Sequence, residues 1–178
     1  MIKLIDLLKE ITEGKQVGLL YHFTYLDNIP NILKTGLKFQ PNNTELSKYD
    51  DKFFISTTRD HTGIKFFKNS EYETRITLNG DQISERYSIE PINIENIWAK
   101  NDSGEYFNSS KNPYFEERIF SPNLGFLDPK YMIKIDTIVP EDEIRREIEL
   151  SKTNDKIIKR FDDNIFKHVN FIKNFNIK

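Results

Sequence analysis

The chain has 178 residues, a formal net charge of −2 and no cysteine. That length suits one domain with a real core. The missing thiols exclude disulfides, thiolate metal centres and cysteine nucleophiles, and the near-neutral charge gives no general pull toward nucleic acid or anionic lipid. Charged residues make up 30% of the chain, but 14 Phe and 8 Tyr bring aromatics to 13%, enough apolar mass to fold. No apolar run approaches the roughly 20 residues of a membrane span. The N-terminal stretch carries Lys3, Asp6, Lys9 and Glu10, unlike a secretory signal. A cysteine-free chain of this kind fits a reducing compartment, so a cytoplasmic location is expected.

Met1–Glu13 predicts a helix, with Ile2, Leu4, Ile5, Leu7, Leu8 and Ile11 as its apolar stripe and Gly14 as its stop. The stretch Leu19–Leu37 (LLYHFTYLDNIPNILKTGL) then reads as a strand, a polar break and a helix. Leu19, Leu20, Tyr21 and Phe23 are the β-prone run. Asp27 or Asn28 suits a helix cap, Pro30 suits the first turn, and Gly36 suits a left-handed C-terminal residue. His22 and Thr24 share parity, so they share one face of the strand. On residues alone, His22 reads as a hydrogen-bonded core histidine first and as a ligand-binding group second.

Residues 38–52, rich in Pro, Asn, Asp and Ser, predict a surface loop. Phe53–Thr57 predicts a second strand, Arg59–Asn69 a short helix, and Thr74–Leu78 a third strand. Asn79-Gly80 signals a hairpin turn with Ile83–Ile89 as the return strand. The stretch 92–112 gives no clear element, and Trp98 within it reads as a packing residue. Tyr114–Phe120 and Tyr131–Val139 predict strands, with Pro140 stopping the latter. Glu141–Leu150 predicts an acidic helix. Lys152–Phe175 predicts a second one, packing Ile157, Ile158, Phe161, Ile165 and Phe166 on the core. Residues 152–178 hold seven Lys or Arg against three Asp. That charge reads as a solvated helical face, with a nucleic-acid or partner surface as the alternative. The interleaving of strands and helices predicts an α+β fold. It forms a single domain, 1–178, with an N-terminal helix (1–14), a core (17–139) and C-terminal helices (141–178).

Three short segments, in order, carry polar groups on predicted strands: Tyr21-His22-Phe23-Thr24, Phe54-Ile55-Ser56-Thr57-Thr58-Arg59 and Phe115-Glu116-Glu117-Arg118-Ile119. The set resembles the ADP-ribosyltransferase superfamily over residues 17 to about 139. LYHFT followed by LDNIPNILKTGL looks like the opening of its His-type branch, which holds DNA-modifying toxins and RNA 2′-phosphotransferases. FISTTRD looks like the second motif of the family and EERIF like the third. The resemblance implies two facing, mostly antiparallel sheets around a cleft for NAD. It also implies transfer of ADP-ribose to a macromolecular acceptor, protein or nucleic acid, by a bacterial toxin, a phage effector or a modifying enzyme. Glu117 would be the catalytic carboxylate, with Glu116 the alternative, because adjacent strand residues face opposite ways. His22 would bind the ribose beside nicotinamide. Tyr21, Thr24, Asn28, Ser56 and Thr57 would line the site, and Arg59, fixed and planar, would suit the diphosphate. Tyr72, Tyr87 or Phe67 would stack on nicotinamide.

Cleavage of the nicotinamide–ribose bond passes through an oxocarbenium-like state, and a carboxylate beside the ribose stabilises that charge. Without the resemblance, Glu116-Glu117 reads as an exposed pair, and Ser56–Asp60 as a strand-to-loop turn with Asp60 capping a helix. His61 and His168 stand alone, so no metal is expected, and no P-loop or G-x-G-x-x-G occurs. Removal of an RNA 2′-phosphate is the other activity that the resemblance implies, but the family that performs it is marked by a further His and Arg at the phosphate site, which the sequence does not place. A non-catalytic protein binding NAD, ADP-ribose or a nucleotide signal would keep the same fold.

Overall fold

The computed structural model describes residues 17–41, 52–59, 61, 72–91, 116–154 and 159–175. The expected helices at 1–13 and within 59–69, most of the 38–52 loop and the 92–112 stretch lie outside them.

Strand β1 (Leu19–Thr24) leads through a 3-10 turn at Leu26–Asn28 into helix α1 (Ile29–Thr35). Pro30 sits in the first turn, where its missing N–H costs nothing. Gly36 ends the helix at φ +94°, its N–H donating to the Ile32 carbonyl at 2.8 Å. A Cβ on Gly36 would lie 2.0 Å from the Leu127 carbonyl oxygen, so only glycine fits. Asn28 precedes the helix but makes no side-chain cap; its amide donates instead to the Thr24 hydroxyl at 2.9 Å.

Short strands β2 (Leu37–Lys38) and β3 (Gln40–Pro41) follow, then β4 (Phe53–Thr58) and β5 (Thr74–Asn79). The expected Asn79-Gly80 hairpin is not formed. Asn79 caps helix α2 (Gly80–Ser84), its side-chain oxygen accepting from the Gln82 N–H at 3.2 Å. The Gly80 N–H donates to the Gly18 carbonyl, a Cβ there would lie 2.5 Å from that oxygen, and Ile83 is fully buried. A capping side chain, a close backbone approach and a buried apolar residue together outweigh the hairpin preference of Asn-Gly. Strand β6 (Ser88–Pro91) therefore does not return along β5. It pairs with β7 (Glu116–Ser121).

After β7 come β8 (Phe126–Leu127), β9 (Met132–Thr137), helix α3 (Glu141–Thr153) and β10 (Val169–Phe171). Tyr131 belongs to a 3-10 turn capped by Asp128, so β9 starts later than its alternation predicts. The expected second C-terminal helix is corrected as well: residues 163–167 make a single 3-10 turn capped by Asp162. Beyond it, Val169-Asn170-Phe171 runs parallel to β9. β-prone Val169 and Phe171 flank an asparagine whose amide donates to the Ile135 carbonyl at 3.0 Å, a pattern that favours an edge strand over a helix. Phe161 and Ile165 are buried as expected.

The result is a mixed α+β fold. One eight-stranded sheet runs β10-β9-β5-β1-β4-β7-β6, with β3 also on β4, and β2 pairs with β8 in a small second sheet. Every pair is antiparallel except β9–β10. The expectation of two facing sheets meets a different arrangement. The two halves of the large sheet are continuous, joined at β1–β4. Tyr21 opposite Thr58 is the single register pair there, against six pairs between β1 and β5 and six between β4 and β7. Leu20, Ile55, Ile76, Leu78, Ile89, Ile119 and Ile135 alternate onto one side of the sheet. They form one core cluster with Ile29 and Ile32 of α1, Ile83 of α2, and Ile144 and Ile148 of α3.

Candidate active site

The three polar segments lie on neighbouring strands. β1, β4 and β7 are consecutive in the sheet, although 60 positions separate Thr57 from Glu117 in sequence. Tyr21 stands opposite Thr58, so the next rung sets His22 beside Thr57, and Thr57 itself pairs with Glu117. Directly opposite residues share a side of the sheet. His22, Thr57 and Glu117 therefore form one polar rung on the side that otherwise carries the apolar core. Tyr21, Ser56 and Glu116 alternate to the other side.

His22 Nδ1 lies 2.9 Å from the Ser56 carbonyl oxygen, so the imidazole bridges β1 and β4 where the backbone pairing thins. Burial pushes its pKa below the usual histidine value, and the hydrogen bond to Ser56 only partly offsets this. The ring is therefore neutral near pH 7. A carbonyl only accepts, so the single proton of the neutral ring sits on Nδ1. Nε2 is left as an acceptor, the form that receives a hydrogen bond from a hydroxyl group.

Glu117 is partly buried, and Arg59 holds it from one edge. Arg59 Nε donates to Glu117 Oε1, and Nη2 donates to Oε2 at 3.0 Å. Among the described residues, the remaining guanidinium nitrogen, Nη1, makes only a long contact of 3.4 Å to the Val17 carbonyl. Thr57 is buried, and its hydroxyl donates to the Glu117 carbonyl at 2.7 Å, fixing β7 against β4 at this rung. Thr24 is buried and takes the Asn28 amide, tying the end of β1 to the start of α1.

Glu116 makes a different network. Arg118 Nε donates to its Oε1 at 2.7 Å, and the Ser56 hydroxyl donates to the same oxygen at 2.9 Å. Both charged side chains are less than a tenth exposed, and the Arg118 guanidinium lies 4.1 Å from the Phe54 ring centre. Ser56 thus touches both systems, its carbonyl toward His22 and its hydroxyl toward Glu116. Tyr21 joins neither; its ring lies 5.5 Å from the Arg75 guanidinium. Arg75 in turn pairs with fully buried Asp136 at 2.7 Å. Tyr87 packs against Phe39 and Tyr131, and Tyr72 against Tyr25, so both proposed stacking rings have aromatic neighbours. Phe67 lies outside the described residues.

The sequence reading did not foresee either Glu–Arg pair. The signal for one was present: Glu116 and Arg118 are two apart on a strand and share a face. The Arg59–Glu117 pair carries no local signal, because its partners are 58 positions apart. Among the described residues, no group of three or more His, Cys, Asp or Glu is placed to hold a metal ion, and no helix is long and apolar enough to cross a membrane. A groove of about 280 Å³ lies elsewhere, between α1 (Pro30, Leu33, Lys34) and the C-terminal turn (Asp162, Ile165, His168). Its Lys34 and His168 are exposed, whereas in the rung Thr57 is buried and His22 and Glu117 are half-buried. No model of a known protein family matches the chain, and no curated protein matches it either.

Proposed function

We propose that the chain is an NAD-dependent ADP-ribosyltransferase with an ADP-ribosyltransferase-like fold, in which the two expected sheets run together through the single register pair at β1–β4. The observation that carries this reading is the rung formed by His22, Thr57 and Glu117 on three adjacent strands. Two groups suited to ribose hydroxyls, a neutral histidine with a free acceptor nitrogen and a carboxylate, share one side of the sheet. In this mechanism, His22 Nε2 accepts a hydrogen bond from one hydroxyl of the ribose attached to nicotinamide. Glu117 takes a second hydroxyl and offers its negative charge to the ring. The bond between ribose C1′ and the nicotinamide nitrogen breaks, and its electron pair stays with the ring, which leaves neutral. The positive charge left on the ribose is the quantity that Glu117 stabilises. The acceptor then forms the new bond to C1′ and releases its proton to solvent. The acceptor is a macromolecule, protein or nucleic acid, and the setting is the cytoplasm of a bacterial or phage-infected cell, where the protein acts as a toxin or effector.

The direct test is incubation with NAD and measurement of nicotinamide release, with protein, DNA and RNA supplied as acceptors and searched for ADP-ribose by mass spectrometry. Wild type should release nicotinamide and Glu117→Gln should not. Absence of release from wild type with every acceptor removes the enzyme reading. A second reading has one specific observation behind it: Glu117 is fully engaged by Arg59, as a carboxylate retired from catalysis would be. In that case the protein binds NAD or ADP-ribose without turnover, and calorimetry detects binding while no nicotinamide appears.

A further inference from the structure

We infer, on the footing of the ADP-ribosyltransferase reading, that Arg59 makes this site demand a diphosphate-bearing substrate. It masks Glu117 until the diphosphate of a dinucleotide takes the guanidinium over.

Glu117 is half of the site's chemistry, yet both of its oxygens are occupied. Arg59 Nε and Nη2 bind them side-on, the geometry that neutralises a carboxylate most completely. A carboxylate so paired has no free charge to offer a developing cation. The neighbouring pair has the same side-on geometry, with Arg118 Nε on Glu116 Oε1 at 2.7 Å and Nη2 on Oε2 at 3.4 Å, but a different setting. Glu116 and Arg118 are 9% and 8% exposed, take a third hydrogen bond from Ser56 and pack on Phe54, so that pair is locked. Arg59 is 29% exposed and Glu117 13% exposed, and among the described residues the outer nitrogen of Arg59 has only its 3.4 Å contact to Val17. Next to that nitrogen stands Gly18, where a Cβ would lie 3.9 Å from it, so this position adds no side chain to the loose edge.

The two adjacent glutamate–arginine pairs therefore differ in exchangeability, one built in and one open to competition. The competitor must offer two acceptor oxygens in a plane and at least as much negative charge as a carboxylate. A diphosphate does this, because a guanidinium binds phosphate oxygens bidentately as it binds carboxylate. A bare nucleoside does not. Arg59 then has two functions in sequence: it neutralises Glu117 in the empty protein and anchors the diphosphate in the loaded one. Its transfer exposes the carboxylate only when a complete dinucleotide is in place. Arg59 is a positioning and specificity residue, not a catalytic one.

The experiment compares nicotinamide release from NAD and from nicotinamide riboside, which carries the same scissile bond without phosphates. Each cleavage consumes one water and yields nicotinamide, a proton, and ADP-ribose or ribose. Wild type should strongly prefer NAD. Arg59→Gln should lower kcat/KM on NAD about tenfold or more. It should also raise kcat on nicotinamide riboside about tenfold, the scale of a partly exposed charge-assisted contact. Opposite movement of the two substrates is the signature. Parallel loss on both, or an unchanged riboside rate, overturns the inference. A second measurement covers a variant that fails to fold. The Arg59 Nε–H resonance of the wild-type protein, assigned through Arg59→Lys, should shift with inorganic pyrophosphate and not with ribose; a resonance unmoved at saturating pyrophosphate overturns the inference as well. If wild type releases nicotinamide from neither substrate, the enzyme reading falls. The pyrophosphate titration still decides whether Arg59 exchanges.

Discussion

Glu116 and Glu117 are adjacent in sequence, and their removal should have opposite consequences. Glu116→Ala takes away the counter-charge of Arg118, which is 8% exposed, and the acceptor of the Ser56 hydroxyl. Breaking a buried pair from one side costs about 3–5 kcal/mol, because the remaining charge is stranded. Arg118 keeps its contact with the Phe54 ring and has Glu90 directly opposite on β6, which places the loss at about 3 kcal/mol. Domains of this kind have roughly 5–15 kcal/mol in total. With a urea dependence of about 2 kcal/mol/M, the unfolding midpoint followed by circular dichroism should fall by about 1.5 M. Glu117→Gln acts on a more exposed pair and keeps an amide oxygen to accept from Arg59. Its stability change should stay within about 1 kcal/mol, while nicotinamide release should drop by about a hundredfold or more, the scale of losing one electrostatic contact to a developing charge. The reverse outcome refutes the assignment. If Glu116→Ala unfolds at the wild-type midpoint yet is inactive, and Glu117→Gln retains turnover, then Glu116 is the working carboxylate and the rung has been misread.

Three further outcomes follow from the same contacts. His22 has a lowered pKa, so below about pH 6.5 the unfolded chain binds a proton that the folded one resists. Stability should be complete above that pH and decline as pH falls below it; His22→Asn, which keeps a donor for the Ser56 carbonyl, should flatten this part of the urea-midpoint profile. Asp136 is fully buried against Arg75 at 2.7 Å, with Lys134 2.8 Å from its other oxygen. Asp136→Asn leaves Arg75 buried without a full counter-charge and should cost about 3 kcal/mol in the same assay. Gly36→Ala forces a side chain into φ +94° and onto the Leu127 backbone, and should cost at least about 2 kcal/mol of thermal stability.

The strands were legible where a short run of β-prone residues is bounded by polar stretches. Phe53–Thr58 and Thr74–Asn79 are such runs, and each pairs with neighbours on both sides. The failures fall where a local signal was overruled by a distant contact. Asn79-Gly80 is a hairpin signal until the Gly18 carbonyl takes the Gly80 N–H. The C-terminal segment has helix-compatible spacing, but the open edge of β9 offers Val169–Phe171 a ladder instead. No window of neighbouring residues contains either fact.

The candidate site shows the same division at finer grain. The three polar segments and their order can be seen in the sequence, and alternation says that Glu116 and Glu117 face apart. Which of them joins His22 depends on one register: Tyr21 opposite Thr58, then Thr57 opposite Glu117. A slip of one residue at either pairing would exchange the two glutamates. The hydrogen bond from the Thr57 hydroxyl to the Glu117 carbonyl fixes one of those registers, and His22 on the Ser56 carbonyl spans the other. The Ser-Thr pair at 56–57 therefore matters less as a pocket wall than as the setting of the register. Ser56 serves Glu116 with its side chain and His22 with its backbone, while Thr57 aligns Glu117. Two adjacent hydroxyl residues on the middle strand assign two adjacent carboxylates, one to the scaffold and one to the site.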